Sequence, residues 1–373
     1  MEPIVLWQQK WSHDPIIPLY LFLGGLTAGI FVVAAVADLI GIWSRRAATV
    51  SRVAAYLAVP VLGLAGFFLT VHLGKPERGL GFPVFFTNYN SWMTRGGWVV
   101  ALSSLIVPGY AILWYFRAVP ALRRILGVVG VPVLGFLAMY TGLLLSGAGY
   151  VPLWSKEYLP LLFLSSGLTT GVAAAGLVFI LAWPFLGERG LDPRPAVRWL
   201  SLALVLLIAA ELYELNSFMT HLTEKASPKA TAPELAVPTG QFKSPMGGRL
   251  AYEYVTGGEG YPWRLFGAAG PAEAVEEIVR PRETLAPWFW WGIIGLGLTI
   301  PLLLTVIEFG TDLASRRAAN GIAAVKFACV LAGGLLLRLV MVWGGDLKAP
   351  LPFPPSKWPI PGAGGPPIPG LGG

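Results

Sequence analysis

The chain has a single cysteine, three histidines and few charged residues for its length of 373. Cys329 alone can form neither an intrachain disulfide nor a CxxC motif, and it cannot hold an iron–sulfur cluster without ligands from another protein. Charged residues make up 13% of the sequence, against about a quarter in soluble globular domains. The hydrophobic share is 55% and the mean hydropathy is +0.65. These values exclude a water-soluble fold, because such a sequence could not hide its apolar surface from water.

Long apolar runs fill most of the sequence, and eight of them have the length of a membrane-spanning helix. A helix needs about 20 apolar residues to cross the hydrocarbon core. The runs are continuously apolar and lack the period-two alternation of a transmembrane β-barrel. The sequence therefore predicts an all-α integral membrane protein with eight transmembrane helices. The predicted spans are residues 18–43, 53–73, 98–117, 125–148, 159–186, 196–221, 286–311 and 320–344.

Arginine marks alternate connections between these spans, and the positive-inside rule places the marked connections in the cytoplasm. Both termini then face the outer, periplasmic side of the inner membrane, and we expect the first span to act as the insertion signal. The net charge of +7 fits contact with anionic membrane lipids and not a nucleic-acid partner. The arginines in question are Arg45, Arg46, Arg52, Arg117, Arg123, Arg124, Arg189, Arg194, Arg198, Arg316 and Arg317.

The spans group into one membrane domain with two additional segments. Residues 1–221 contain the first six spans, and residues 286–344 contain the last two. Between them, residues 222–285 mix Pro, Gly and charge with many aromatic residues, which indicates a partly ordered docking surface on the outer side; a flexible loop is the alternative. Residues 345–373 are rich in Pro and Gly and favour extended polyproline geometry, either as an arm on a neighbouring subunit or as an untethered tail.

Several ionisable side chains lie inside the predicted spans, where each costs about 2.5–3.5 kcal/mol and therefore needs a partner or a function. Glu211, Glu214 and His221 fall on one stripe of the sixth helix. Our first structural expectation is an ion pair from Arg338 to Glu211 or Glu214, which either holds helices together or serves the function. The six intramembrane candidates for a proton pathway are Asp38, Glu211, Glu214, Glu308, Asp312 and Arg338.

Three of these acids lie within about two turns of the cytoplasmic helix ends: Asp38, Glu308 and Asp312. Together with the two outer glutamates they could form a discontinuous proton relay through the bundle. The simpler alternative pairs Asp312 with the nearby Arg316 or Arg317, and Asp38 with Arg45, at the level of the lipid headgroups.

The outer side holds proton-exchanging side chains beside apolar and aromatic walls. The three histidines lie at one level and could supply at most one axial pair, so we expect no haem, and no His and acid cluster has the spacing of a metal site. A quinone head group needs proton donors for its carbonyls and an apolar trough for its tail. The alternative is an aromatic belt at the membrane interface. The candidate quinone-binding residues are His13, Asp14, Tyr20, His72 and Tyr140.

Short sequence blocks follow one another between residues 18 and 344. They are Pro18–Gly29, Leu73–Arg78, Asn90–Trp98, Tyr140–Ser146, Val151–Trp154, Leu164–Gly171, Glu211–Leu215 and Gly333–Arg338. In this order they resemble the NrfD-like family of polysulfide-reductase membrane subunits.

The resemblance implies an eight-helix core of two four-helix bundles, the first at about residues 18–148, without haem. It also implies electron exchange with menaquinone or ubiquinone near the outer face. The electrons would pass to or from a ferredoxin-like iron–sulfur subunit, usually attached to a molybdopterin catalytic subunit. His13 and Tyr140 are similar to quinone-contacting positions of the family. The loop with Lys75, Glu77 and Arg78 resembles part of the platform under the iron–sulfur subunit. The 222–285 insertion exceeds the short loop of the simplest members.

The sequence thus predicts a membrane anchor and quinone-reactive subunit of a respiratory oxidoreductase complex, with proton translocation as a further hypothesis. A secondary transporter that uses the same intramembrane charges is the alternative from another class. Inverted repeats and broken helices would favour it, and the sequence shows neither clearly. A third alternative is a purely structural anchor with a vestigial quinone pocket.

Overall fold

The computed structural model is helical wherever it assigns regular structure to the residues that it describes. Eight of its helices are long and apolar enough to cross a membrane. The predicted all-α class and the predicted number of spans are therefore confirmed. The described residues are 15–72, 87–117, 119–148, 151, 153–186, 192–224, 251–252, 254–257, 284–310 and 316–346.

Most helix ends lie close to the predicted spans, and the larger differences are early starts of the second, third and fourth helices. The second helix begins at Arg45, eight residues before the predicted position 53, because polar residues form its first turns, ahead of the apolar run that defined the span. The bounds are α1 Ile16–Ile40, α2 Arg45–His72, α3 Trp92–Tyr115, α4 Pro120–Ser146, α5 Leu159–Ala182, α6 Arg194–Glu224, a π-helix at Trp288–Thr299 that continues into α7 Ile300–Gly310, and α8 Arg316–Trp343.

The turn between α3 and α4 fixes where α3 ends and where α4 begins. Arg117 and Val119 have φ angles of 51° and 38°, a left-handed conformation that is unfavourable for a β-branched residue. Pro120 then occupies the first helical position of α4, where its missing N–H and fixed φ suit a helix start. At the other end of α3, Ser91 accepts a hydrogen bond from the Met93 N–H and caps the helix.

Helix α1 lies at the centre of the molecule and packs against α2, α4, α5 and α8. The buried apolar residues form two clusters, one mainly from α1–α4 and one mainly from α5–α8. This division supports the expected pair of four-helix bundles, which stays a prediction. Large apolar side chains such as Trp43, Leu105 and Phe185 are exposed on the outer surface, as in helices that face lipid.

Two glycine pairs bring α1 and α5 into close contact. Gly25 and Gly29 face Gly167 and Gly171, and a Cβ atom added at Gly29 or Gly171 would overlap the backbone of the other helix. The spacing of four residues in both pairs is the small-residue pattern that lets helices approach in lipid.

Most of the 222–285 insertion and nearly all of the 345–373 tail lie outside the described residues. Within the insertion, the Leu285 N–H donates to the Tyr254 carbonyl at 3.0 Å. The Trp290 indole N–H donates to the Thr256 carbonyl at 2.9 Å. Residues 254–256 therefore lie against the start of the seventh span.

Candidate functional site

Three of the candidate quinone residues lie in the region where α1 begins and α2 ends. The rings of Tyr20 and His72 lie 6.0 Å apart between centroids at an angle of 38°. Tyr140 of α4 is close enough to Tyr20 for the two phenols to interact electrostatically. We call Tyr20, His72 and Tyr140 the aromatic cluster. The other two candidates, His13 and Asp14, lie outside the described residues.

The third helix shapes the wall of the aromatic cluster. Tyr140 is only 8% exposed, and a Cβ atom added at Gly96 would overlap its ring. Two residues earlier, the hydroxyl of Thr94 is buried and has no hydrogen-bond partner among the described side chains. The sequence analysis did not single out Gly96 or Thr94, although both lie in the block Asn90–Trp98.

Cationic side chains lie around Trp92 at the start of the same helix. The Arg95 guanidinium is 4.9 Å from the centroid of the Trp92 ring, and the Lys156 ammonium is 5.9 Å from it. Arg95 also donates to the Tyr89 carbonyl at 2.7 Å. This edge of the molecule is therefore positively charged. The predicted docking residues Lys75, Glu77 and Arg78 lie outside the described part of the sequence.

Asp38 has a different partner from the one that we expected. Its carboxylate accepts two hydrogen bonds from Arg123, at 2.8 and 2.7 Å, and one from the Tyr110 hydroxyl at 3.2 Å. The Arg123 guanidinium also stacks on the Trp114 ring at 3.6 Å. The suggested pairing of Asp38 with Arg45 is therefore wrong, because the start of α4 packs beside the end of α1 and places Arg123 there.

Glu308 is buried near the end of α7, where it forms an ion pair with Lys326 of α8. Its carboxylate also accepts a hydrogen bond from the Ser201 hydroxyl of α6 at 3.0 Å. Sequence analysis missed Lys326, although a lysine inside an apolar run meets the criterion that selected the other intramembrane charges. The remaining inner candidate, Asp312, lies outside the described residues.

Arg338 does not form the direct ion pair that we expected with Glu211 or Glu214. Its guanidinium stacks on the Phe163 ring at 3.7 Å and donates to the Phe163 carbonyl at 2.9 Å. Two of its nitrogens, Nε and Nη1, are buried with no hydrogen-bond partner among the described atoms. The expectation failed because α8 directs Arg338 into the junction of α1 and α5, where its Nη2 atom lies 3.3 Å from a Cβ position built on Gly25.

Glu211 is buried and faces the hydroxyls of Ser166 and Thr169, with Arg338 acting on it as a more distant charge. Glu211 borders a narrow crevice between α5, the seventh span and α8, which Leu298 and Val330 also line. The seventh span is a π-helix at this point, a form that is rare and frequently occurs at functional sites.

The second half of the sequence has its own pair of a tyrosine and a histidine. His221 lies 4.5 Å from the Tyr158 ring between centroids, and its Nε2 atom is 3.9 Å from a Glu157 carboxylate oxygen. Phe218, on the same helix as His221, stacks on the Tyr158 ring with 6.0 Å between the ring centroids. Glu214 is half-buried on the same helix. Within the described residues, no three His, Cys, Asp or Glu side chains come together as a metal site would require.

Comparisons with known proteins extend over most of the sequence. The family model "Polysulphide reductase, NrfD" matches residues 7–246. "Protein NrfD" of Escherichia coli is 24% identical over 294 residues, which are 78% of this chain and 67% of that protein. The C chain of polysulfide reductase from Wolinella succinogenes is 24% identical over 358 residues, 90% of this chain and 94% of the relative. The "Protein NrfD homolog" of Haemophilus influenzae is 26% identical over half of this chain.

Proposed function

This chain belongs to the NrfD polysulphide reductase family of multi-pass membrane proteins, and we propose that it is the quinone-reactive membrane subunit of a respiratory oxidoreductase complex. The observation that carries the proposal is the aromatic cluster. Tyr20, His72 and Tyr140 come from three different helices, yet they lie in the same region at one end of the helical core. We place this end on the outer, periplasmic side of the inner membrane, as the arginine distribution predicts.

The aromatic cluster has the groups that quinol chemistry requires. Oxidation of a quinol releases two electrons and two protons, so each hydroxyl needs a proton acceptor, and reduction of the quinone needs the reverse. An imidazole exchanges protons near neutral pH, and His72 is exposed at the end of α2. The hydroxyls of Tyr140, Tyr20 and Thr94 can orient the two quinone oxygens. His13 and Asp14 complete the proposed site from the segment before α1.

The electrons leave through a partner protein, because the single cysteine here cannot hold an iron–sulfur cluster alone. We propose a ferredoxin-like iron–sulfur subunit that docks on Lys75, Glu77 and Arg78, and a molybdopterin catalytic subunit beyond it. The Wolinella relative is named as one lettered chain of a polysulfide reductase, which supports a complex of several subunits. The positive edge around Arg95 and Lys156 suits an acidic partner surface.

Proton movement through the membrane is the second part of the proposal. Asp38, Glu211, Glu214, Glu308, Asp312 and Arg338 are its candidates. The support comes from the burial of Glu211, Glu308 and Arg338 inside the helical core, where a charged side chain needs a partner or a function. The bidentate pairing with Arg123 fixes the Asp38 carboxylate in place.

The test of quinone reactivity is the rate at which menadiol reduces the iron–sulfur clusters of the purified complex, followed by electron paramagnetic resonance after rapid mixing. We expect Tyr140→Phe and His72→Ala each to slow cluster reduction by about a hundredfold, within the range that one positioned proton-transfer group contributes. The matched control is Tyr213→Phe, which removes a hydroxyl from a tyrosine that is 70% exposed on α6.

The control variant should reduce the clusters at the rate of the unaltered complex. Undiminished rates in both site variants would contradict the proposal and favour a structural anchor. A protein that purifies without any redox partner or quinone would favour a transporter.

A further inference from the structure

Two buried ion clusters lie at the end of the molecule opposite the aromatic cluster. The arginine cluster consists of Asp38, Ser51, Tyr110 and Arg123. The lysine cluster consists of Ser201, Glu308 and Lys326. In each half of the sequence, the second helix contributes a serine, the third helix or span contributes a polar side chain, and the fourth helix contributes the cation.

The contacts of the arginine cluster hold it in one arrangement. Arginine stays charged in proteins, and Arg123 is fixed by two hydrogen bonds to Asp38 and by stacking on Trp114. Tyr110 donates to the same carboxylate and lies 3.3 Å from the Ser51 hydroxyl. All of these contacts favour one arrangement, so this cluster ties α1 to α3 and α4.

The lysine cluster differs because both members of its ion pair can change protonation. Lys326 is fully buried, and a buried lysine can lose its proton, as catalytic lysines do. If the proton moves from Nζ to a Glu308 carboxylate oxygen, an amine and a carboxylic acid replace the two charges. Both forms are neutral overall and keep the hydrogen bond. One further proton gives an ammonium beside a carboxylic acid, so the pair can accept and release a proton.

The helices that pack around Lys326 present few other charges to it. From α6 the neutral Ser201 hydroxyl faces it, and from α7 the Glu308 carboxylate does. One turn before Ser201, Arg198 lies 5.9 Å from the Phe309 ring. Among the described residues, Glu308 is therefore the one anion paired with Lys326.

The lysine cluster also lies next to the crevice of Glu211. Val330 is one helical turn beyond Lys326 on α8 and lines that crevice together with Leu298. The arginine cluster has no residue among those that line the crevice.

We propose that Lys326 and Glu308 form the proton-holding site of this membrane subunit, whereas the arginine cluster only fixes the helices. The inference deepens the proposed function and rests on it. In the coupled cycle, quinol oxidation at the aromatic cluster drives a proton that Lys326 and Glu308 take up from the opposite side.

The test uses the whole complex in liposomes, with menadiol as the electron donor and external ferricyanide as the acceptor, after subtraction of the protein-free rate. Electrons and quinol protons then appear on the same side, so this chemistry alone moves no charge across the bilayer. A potential-sensitive dye therefore reports only protons that cross through the protein. The variants are Lys326→Arg, Lys326→Gln and Glu308→Gln, and the matched control is Arg123→Lys, which keeps the charge of the other cluster.

We expect the three variants of the lysine cluster to retain quinol turnover, which shows that they fold, and to lose the membrane potential. The Lys326→Arg variant is decisive, because it keeps the ion pair but cannot release its proton. The Arg123→Lys control should keep both turnover and potential. A full potential with Lys326→Arg, or an unaltered complex that turns over without any potential, would overturn the inference and leave quinone reactivity intact. Absence of quinol turnover in the unaltered complex would instead overturn the proposed function.

Discussion

At the scale of single residues, Gly96 and Tyr140 show how closely the aromatic cluster is packed. The Tyr140 ring occupies the space that a side chain at position 96 would fill. Tyr140 is also nearly buried, so its hydroxyl has little freedom to move. The position of that hydroxyl therefore depends on a residue that carries no functional group itself.

We expect Gly96→Ala to displace the Tyr140 ring and to slow cluster reduction by menadiol by about a hundredfold, as a misplacement of about 1 Å can do. The added methyl group overlaps the ring in its present position. The control is Gly135→Ala on α4, where an added Cβ meets open space. Rapid mixing of the complex with menadiol measures both variants, and equal rates would show that the Tyr140 position is unimportant.

The sequence indicated which charged residues are buried more reliably than it indicated which side chains pair with them. The cost of charge in lipid singled out Asp38, Glu211, Glu308 and Arg338, and all four are buried. The same argument does not say which helix lies opposite each charge. Asp38 was therefore matched with an arginine nearby in sequence, whereas the packing of α4 on α1 supplies Arg123 from 85 positions away.

At the scale of the helices, the ion pair of Asp38 and Arg123 joins α1 to α4. Apolar surface alone holds membrane helices together weakly, because lipid tails are as apolar as the helix surface. Close glycine contacts and buried polar pairs therefore give specificity. Here the glycines connect α1 to α5, and the arginine cluster connects α1 to α4.

We expect Asp38→Asn to lower the free energy of unfolding by about 3–5 kcal/mol, because it leaves the Arg123 charge buried without its anion. The double variant Asp38→Asn, Arg123→Met removes both charges and should recover part of that loss. Thermal unfolding of the purified subunit in detergent measures both. The control is Glu214→Gln, which removes the charge of a half-buried glutamate on α6. If Asp38→Asn is no less stable than this control, the ion pair of Asp38 and Arg123 does not join these helices.

Helix positions were predictable because a membrane span is defined by length and hydropathy, which a sequence states directly. The π-helix at Trp288–Thr299 could not be predicted, because its sequence is apolar on all sides. Such a sequence has no periodicity that distinguishes the backbone hydrogen bonds of a π-helix (i to i+5) from those of an α-helix (i to i+4). The early start of α2 was missed for the opposite reason, since its first turns at Arg45 and Arg46 are polar.

At the scale of the whole molecule, the two ends of the helical core have different chemistry. One end holds the aromatic cluster and a positive edge, and the opposite end holds the two ion clusters. The family match covers residues 7–246, which include the first six spans, and the Wolinella relative aligns over 90% of this chain. A quinone reaction at one end and a proton-holding site at the other would together make an oxidoreductase subunit that conserves energy.

The most direct test of quinone binding is photolabelling of the intact complex with an azido-quinone, followed by mass spectrometry of the labelled peptides. We predict labels near Tyr20, at the start of α3 and near Tyr140, all suppressed by excess menadione. Labels confined to the region of Tyr158 and His221, or labelling that menadione does not suppress, would contradict quinone binding at the aromatic cluster.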